Sequence, residues 1–143
     1  MDFSIGTAVS RLCGGAGMEF RHVPVLFNET MEALKVTPGG TYIDGTTGGG
    51  GHSSGICQRL EGKGLLVAVD RDMDALRASE KRLEPYSCSK KFVHTNYSDI
   101  ETLKNQCGPR GADGILLDLG VSSFQLDNPD RGFSYMHDAP LDM

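Results

Sequence analysis

Five glycines fall within the nine residues Asp44-Gly45-Thr46-Thr47-Gly48-Gly49-Gly50-Gly51-His52. Neither a helix interior nor a strand interior tolerates that density, because each glycine forfeits backbone entropy and packs nothing. The cluster is therefore a loop, and its flanks decide what kind. Thr41-Tyr42-Ile43-Asp44 before it reads as a strand, and the stretch after it, through about Leu60, reads as a helix. The same unit then recurs. Gly62-Lys63-Gly64 turns into the apolar run Leu65-Leu66-Val67-Ala68-Val69, which has the composition of a strand buried on both faces and ends at Asp70. A helix is predicted from about Asp72 to Leu83, with Met73, Leu76 and Leu83 on one side. Phe92-Val93-His94 reads as a short third strand, Ile100 and Leu103 mark a helix before Gly108-Pro109, and Gly114-Ile115-Leu116-Leu117-Asp118 reads as a fourth strand. Upstream, Val23 to Phe27 leads into Asn28, a good N-cap residue for a short helix through Leu34.

Strands alternating with helices imply parallel pairing through crossovers, an α/β fold with helices covering the sheet. Ligands of such sheets sit beyond the carboxyl ends of the strands. Asp44 with its glycines, Asp70 and Asp118 each end a strand, and Asn96-Tyr97-Ser98-Asp99 follows the remaining one. That coincidence marks a site.

Its ligand can be narrowed by elimination. A phosphate loop requires Lys after the glycines, and none follows. The dinucleotide pattern G-x-G-x-x-G fails at Ser53 or Ser54 in either register, which disfavours a nicotinamide-dependent oxidoreductase. A carboxylate at Asp44 would repel a pyrophosphate but suits a cationic, amino-bearing ligand such as S-adenosylmethionine. Asp70 lies 19 residues beyond Gly51, where a carboxylate can accept both ribose hydroxyls of an adenosine. Taken singly, either aspartate could merely cap a turn; together they favour a nucleoside site. His52 belongs with the loop, since no second His stands at metal spacing.

The bulk properties exclude several classes. A chain of 143 residues is one domain, long enough to bury a core without disulfide or metal. Cys13, Cys57, Cys88 and Cys107 form no C-x-x-C pair and read as reduced thiols, not a zinc site. No apolar run approaches the roughly 18 to 20 residues of a membrane span. Net charge is −5, and residues 118–143, with five Asp and one Arg, carry −4 of it; no basic stripe suggests nucleic acid. Residues 1–19 read as a disordered extension in which Met18 is an alternative start, with a transit peptide as the other reading. Ser122 and Ser123 lack the G-x-S-x-G elbow of a nucleophile. Arg131 either contacts phosphate or, the favoured reading, pairs with Asp127 or Asp130.

Four segments carry a resemblance. They are His22-Val23-Pro24-Val25-Leu26; Tyr42 to Thr46 with Gly48 to Ser53; Val69-Asp70-Arg71-Asp72; and the run from Asp113 to Ser123 with Gln125-Leu126-Asp127, Arg131-Gly132-Phe133-Ser134 and Pro140-Leu141-Asp142-Met143. Over residues 20–143 the chain is similar to the bacterial 16S ribosomal-RNA cytosine-N4 methyltransferase family (RsmH, formerly MraW), which has organellar relatives in eukaryotes. The resemblance implies a class I, Rossmann-like methyltransferase sheet, here cut off after about the fourth strand, with the helical substrate domain and later strands absent and the fourth strand at an open edge.

It also implies the cofactor S-adenosyl-L-methionine and, as partner, small-subunit ribosomal RNA or the 30S subunit, reached through the full-length enzyme. A cytoplasmic or, in a eukaryote, organellar location follows, with neither metal nor membrane involved. Carried over by position, Gly50, Gly51 and His52 line the methionine end, Asp70 holds the ribose, Tyr97 packs near the adenine, and Asp118 and Gln125 complete the pocket, to which Asp44 and Gly49 also belong. Tyr97 stands where Phe is frequent, and Phe124 replaces a common Pro. Asp118, with the Leu119-Gly120 backbone, is the candidate acceptor for a proton of the cytosine amine. The alternative is a truncated cofactor-binding module without activity.

Overall fold

The structure, a computed structural model, describes residues 24–143. The extension expected over residues 1–19, together with Cys13, His22 and Val23, lies outside them. Helix α1 spans Phe27–Leu34, followed by strand β1 (Thr41–Asp44), α2 (Gly51–Arg59), β2 (Leu65–Asp70), α3 (Met73–Leu83), β3 (Ser89–His94), α4 (Ile100–Cys107), β4 (Gly114–Leu116) and α5 (Ser123–Asp127), with a 3-10 turn at Pro129–Arg131. All four strands are parallel, in the order β3-β2-β1-β4. The expected α/β sheet is thus present. The chain builds outward from β1 to β3, then returns to the opposite side of β1 for β4. The strand order therefore reverses between β1 and β4, where open α/β sheets form their ligand crevice.

Alternation along the two central strands divides the core. Leu66 and Ala68 of β2 join Tyr42, Met31, Ile56, Cys57, Leu60, Leu83 and Cys88 on the face covered by α1, α2 and α3. Val67 and Val69 point the other way and meet Ile43 with Leu103 and Cys107 of α4. Burial on both faces accounts for the unbroken apolar run of β2. Cys57, Cys88 and Cys107 are free and buried.

Several boundaries differ from the expectation for physical reasons. Helix α1 begins at Phe27, not after Asn28: Leu26 adopts a left-handed conformation (φ 54°) and its carbonyl accepts the first helical bond, from Thr30. Met73 is exposed, because the inward face of α3 consists of Ala75, Leu76, Ser79 and Leu83. Ile100 is exposed as well, leaving Leu103 to anchor α4. Strand β4 stops at Leu116 because β1, its partner, has already turned into the glycine loop; the Asp118 amide donates instead to Thr46 Oγ1 at 2.7 Å. Ile115 on this outer strand is 56% exposed, as befits an edge. No helix among the described residues is long and apolar enough to cross a membrane.

One turn sets the spacing between β1 and β2. Gly64 sits at φ +88°, and a Cβ there would overlap the Gly40 carbonyl, the same oxygen that accepts from the Leu65 amide as β2 begins. Gly64→Ala is expected to destabilise the chain by about 3 kcal/mol. Gly111→Ala, also at positive φ (+73°) but facing open space, should cost about 1 kcal/mol. Urea midpoints of the two variants check the difference.

Candidate functional site

Residues 45–50 form a loop held between two strands. On one side the Thr47 amide donates to the Val69 carbonyl (2.9 Å) and the Gly48 amide to Asp70 Oδ2 (2.8 Å). On the other side the Gly45 amide donates to the Leu116 carbonyl (2.9 Å), and Thr46 Oγ1 receives the Asp118 amide. Glycine is required where other elements press in. A Cβ on Gly45 would lie 2.5 Å from Leu117 Cδ2 and 3.1 Å from Tyr97 Cβ; one on Gly50, at φ +78°, would lie 3.1 Å from Ser79 Cβ of α3. Gly49, by contrast, faces open space. The loop is thus packed against its supports and open on one side.

Asp44 lies beneath the loop, 1% exposed. Its Oδ2 accepts from Ser53 Oγ at 2.6 Å and its Oδ1 from the Thr46 amide at 3.2 Å. Burial raises its carboxyl from the ordinary 3.8 to about 6, against the opposing pull of those two hydrogen bonds. It braces the loop from below instead of facing solvent.

Asp70 is half-buried. It accepts the Gly48 amide on one oxygen and the Asp72 amide (2.9 Å) on the other. A carboxylate offers about four lone-pair sites, so capacity remains on both oxygens. His52 opens α2, 7% exposed and stacked on Phe27 with ring centroids 6.0 Å apart. Its Nδ1 lies 3.7 Å from Asp118 Oδ2, and its Nε2 is buried with no hydrogen-bond partner among the described residues. Asp118 itself is well exposed, as is much of Tyr97.

The structure therefore brings Asp44, Gly49, Gly50, Gly51, His52, Asp70, Tyr97 and Asp118 to one edge of the sheet. Gln125, the remaining candidate, is 5% exposed and bonds within its own segment. Its Oε1 accepts from the Ser122 amide (2.9 Å) and its Nε2 donates to the Met143 carbonyl (3.0 Å), so its amide organises residues 122–143. That segment abuts the loop where Ser122 approaches Gly48. Arg131 pairs with neither Asp127 nor Asp130. It reaches Asp72 Oδ2 (2.7 Å), Asp74 (3.5 Å) and Asp142 (3.6 Å), because the 3-10 turn carries it back over the start of α3. Sequence reasoning gave no role to Ser53 or Thr46. Both stand in the motif segments, but their partners, Asp44 for Ser53 and the Asp118 amide for Thr46, come from loop geometry. Among the described residues no cluster of three His, Cys, Asp or Glu could hold a metal ion.

Known proteins resemble the chain in sequence and in fold. The model of the MraW methylase family matches residues 19–143. Ribosomal RNA small subunit methyltransferase H of Symbiobacterium thermophilum is 52% identical over 126 residues, covering 88% of this chain and 40% of that protein. The protein of the same name from Fusobacterium nucleatum is 52% identical over 122 residues, covering 85% and 39%. The chain thus spans about 40% of the length of these curated relatives. Among solved structures, a SAM-dependent O-methyltransferase from Thermotoga maritima superposes with a TM-score of 0.51 at 16% identity, over 57% of this chain and 32% of that one. NSun6 from Pyrococcus horikoshii gives 0.54 at 29%, over 67% and 24%. The sheet is that of the class I, Rossmann-like methyltransferases.

Asp44 leaves a measurable trace. A carboxyl raised to about 6 favours the folded state below 3.8, where it is protonated in both states, and loses that contribution as pH rises through 6. Between pH 7 and pH 5 the native chain should therefore gain about 1 kcal/mol from this group. Asp44→Asn lacks the titration, so the stability difference between wild type and variant should shift by that amount in favour of wild type on acidification. Urea denaturation at the two pH values measures it.

Proposed function

This chain belongs to the MraW methylase family, and we propose that it forms the S-adenosylmethionine-binding part of an enzyme that methylates the N4 amine of a cytosine in 16S ribosomal RNA. The observation that carries the reading is His52 beside a glycine loop whose neighbours are Asp70, Tyr97 and Asp118: its Nε2 is buried and has no hydrogen-bond partner among the described residues. A buried polar atom is ordinarily paired, and an orphan at a loop edge fits a polar ligand.

The residues suit this cofactor in separate ways. Asp70 keeps acceptor capacity for two ribose hydroxyls, and its backbone bonds fix its orientation. Tyr97 offers an aromatic face for the adenine. Gly49, Gly50, Gly51 and His52 accommodate the amino-acid end, and Gln125 with its segment forms a wall beside Gly48. Asp44 acts through its charge: buried directly under the loop, it favours a cation above without touching it. The bound cofactor supplies an electrophilic methyl group. The chain's task is then to hold that group in line with the incoming amine, an effect worth up to several kcal/mol.

Cytosine N4 is a weak nucleophile because its lone pair is delocalised into the ring. An acceptor for one of its protons strengthens it, and we assign that role to Asp118, exposed and 3.7 Å from His52, together with the Leu119-Gly120 backbone. The target base must lie outside its stack, single-stranded or flipped. We assign the grip on the RNA or the 30S subunit to the length of the relatives that this chain does not span, which fits the absence of a basic stripe. The place of action follows the substrate: the cytoplasm, or an organelle in a eukaryote.

A second reading is a cofactor-binding module without activity. Calorimetric titration with S-adenosylmethionine and, in parallel, NAD tests the site. Saturable binding of the first alone is expected, and Asp70→Ala should weaken it about 10- to 100-fold through lost charge-assisted hydrogen bonds. Absence of binding, or equal binding of NAD, overturns the assignment. Methyl transfer to small-subunit RNA by the loaded chain then separates the enzyme from the inactive module.

A further inference from the structure

Resting on the assignment of Asp70 to the ribose, we infer that Arg131 is a positioning residue for that carboxylate, acting from the far end of the chain through Asp72. Arg131 is only 11% exposed and lies against three carboxylates. The shortest contact is to Asp72, whose side chain is 4% exposed. A carboxylate so deeply placed must be paired, since an uncompensated buried charge is strongly destabilising. Asp72 spends its other oxygen on the Asp74 amide, as the N-cap of α3.

The pair is mechanically connected to the site. The Asp72 amide donates to Asp70 Oδ1, and Asp70 Oδ2 accepts from Gly48. Guanidinium, Asp72, Asp70 and the glycine loop therefore form one chain of contacts, each of 2.9 Å or less. With Arg131 in place, Asp72 and the start of α3 are locked, and the Asp70 oxygens point one way. Without it, Asp72 has to move toward water, and the amide that orients Asp70 moves with it.

Arg131 also secures its own segment. Its carbonyl accepts from the Asp142 amide (3.0 Å) and its Nη1 approaches the Asp142 carbonyl (3.4 Å). Gly132, at φ +75°, lets residues 139 and 140 pass so close that a Cβ there would lie 2.6 Å from both of their carbonyl oxygens. The segment bearing Gln125 is thereby clasped to residues 72–74, so one cation serves both the ribose carboxylate and the wall beside the loop.

The readout is discrimination between S-adenosylmethionine and its 2′-deoxyribose analogue, measured by calorimetry on the 143-residue chain. A residue that only stabilises the fold weakens both ligands alike. Arg131→Gln is expected to lower the ribose preference about tenfold. Arg131→Lys, which keeps the charge but not the fork, should fall between the variant and wild type. Asp142→Asn, which leaves the Arg131–Asp72 pair intact, should retain the full preference, and it and the lysine variant carry the test if the glutamine variant does not fold. A ribose preference that survives Arg131→Gln or Arg131→Lys unchanged, or that falls equally in Asp142→Asn, overturns the positioning role while leaving the donor site standing. A wild-type chain that binds S-adenosylmethionine without preferring the ribose refutes the Asp70 assignment beneath it, and the inference with it.

Discussion

Four hydrogen bonds from residues 45–48 and Asp118 fasten the glycine loop to the strands on either side of β1. Two go to β2 and its terminal aspartate, two to the end of β4. The loop has little rigidity of its own, since glycine-rich backbone has many alternatives. Its shape is imposed by neighbours that were themselves fixed by the sheet. That dependence explains why a strand as short as β4 matters: without it the loop would be anchored on one side only, and Gly45 would have no Leu117 to pack against.

The three aspartates that follow β-strand cores share a position in the fold and differ in what surrounds them. Asp44 is enclosed, with both oxygens committed to Ser53 and Thr46. Asp70 is half-open, oriented by two backbone amides. Asp118 is mostly in solvent. Burial and the number of internal donors thus divide one residue type into a brace, an oriented acceptor and an exposed carboxylate beside His52. Their sequence contexts, each a strand followed by Asp and a turn, do not make that distinction.

The local elements were legible because their causes are local. The apolar run of β2, the glycine cluster and the Asp72 cap each announce themselves within a few residues, and β1 and β2 begin where the sequence places them. Asp44, Asp70 and Asp118 were recognisable as a site because parallel sheets gather strand ends at one edge. What stayed hidden is what depends on distant partners. The position of β4 beside β1 decides where the crevice lies, yet no residue in β4 encodes its neighbour. Arg131 finds Asp72 from 59 positions away, whereas sequence reasoning looked for the nearest carboxylates. Helix α1 starts at Phe27, whose ring stacks on His52, a contact between elements that no N-cap preference contains.

The three buried thiols divide between the two faces of the sheet: Cys57 and Cys88 share the α1–α3 face, and Cys107 lies on the α4 face. Burial pushes the thiols of Cys57 and Cys107 up, away from the reactive thiolate. A modifying reagent therefore meets them only when the layer above opens. Because both faces carry thiols, labelling of Cys57 and Cys88 clocks the breathing of one face and labelling of Cys107 that of the other. The chain carries its own pair of stopwatches, one for each side of the sheet.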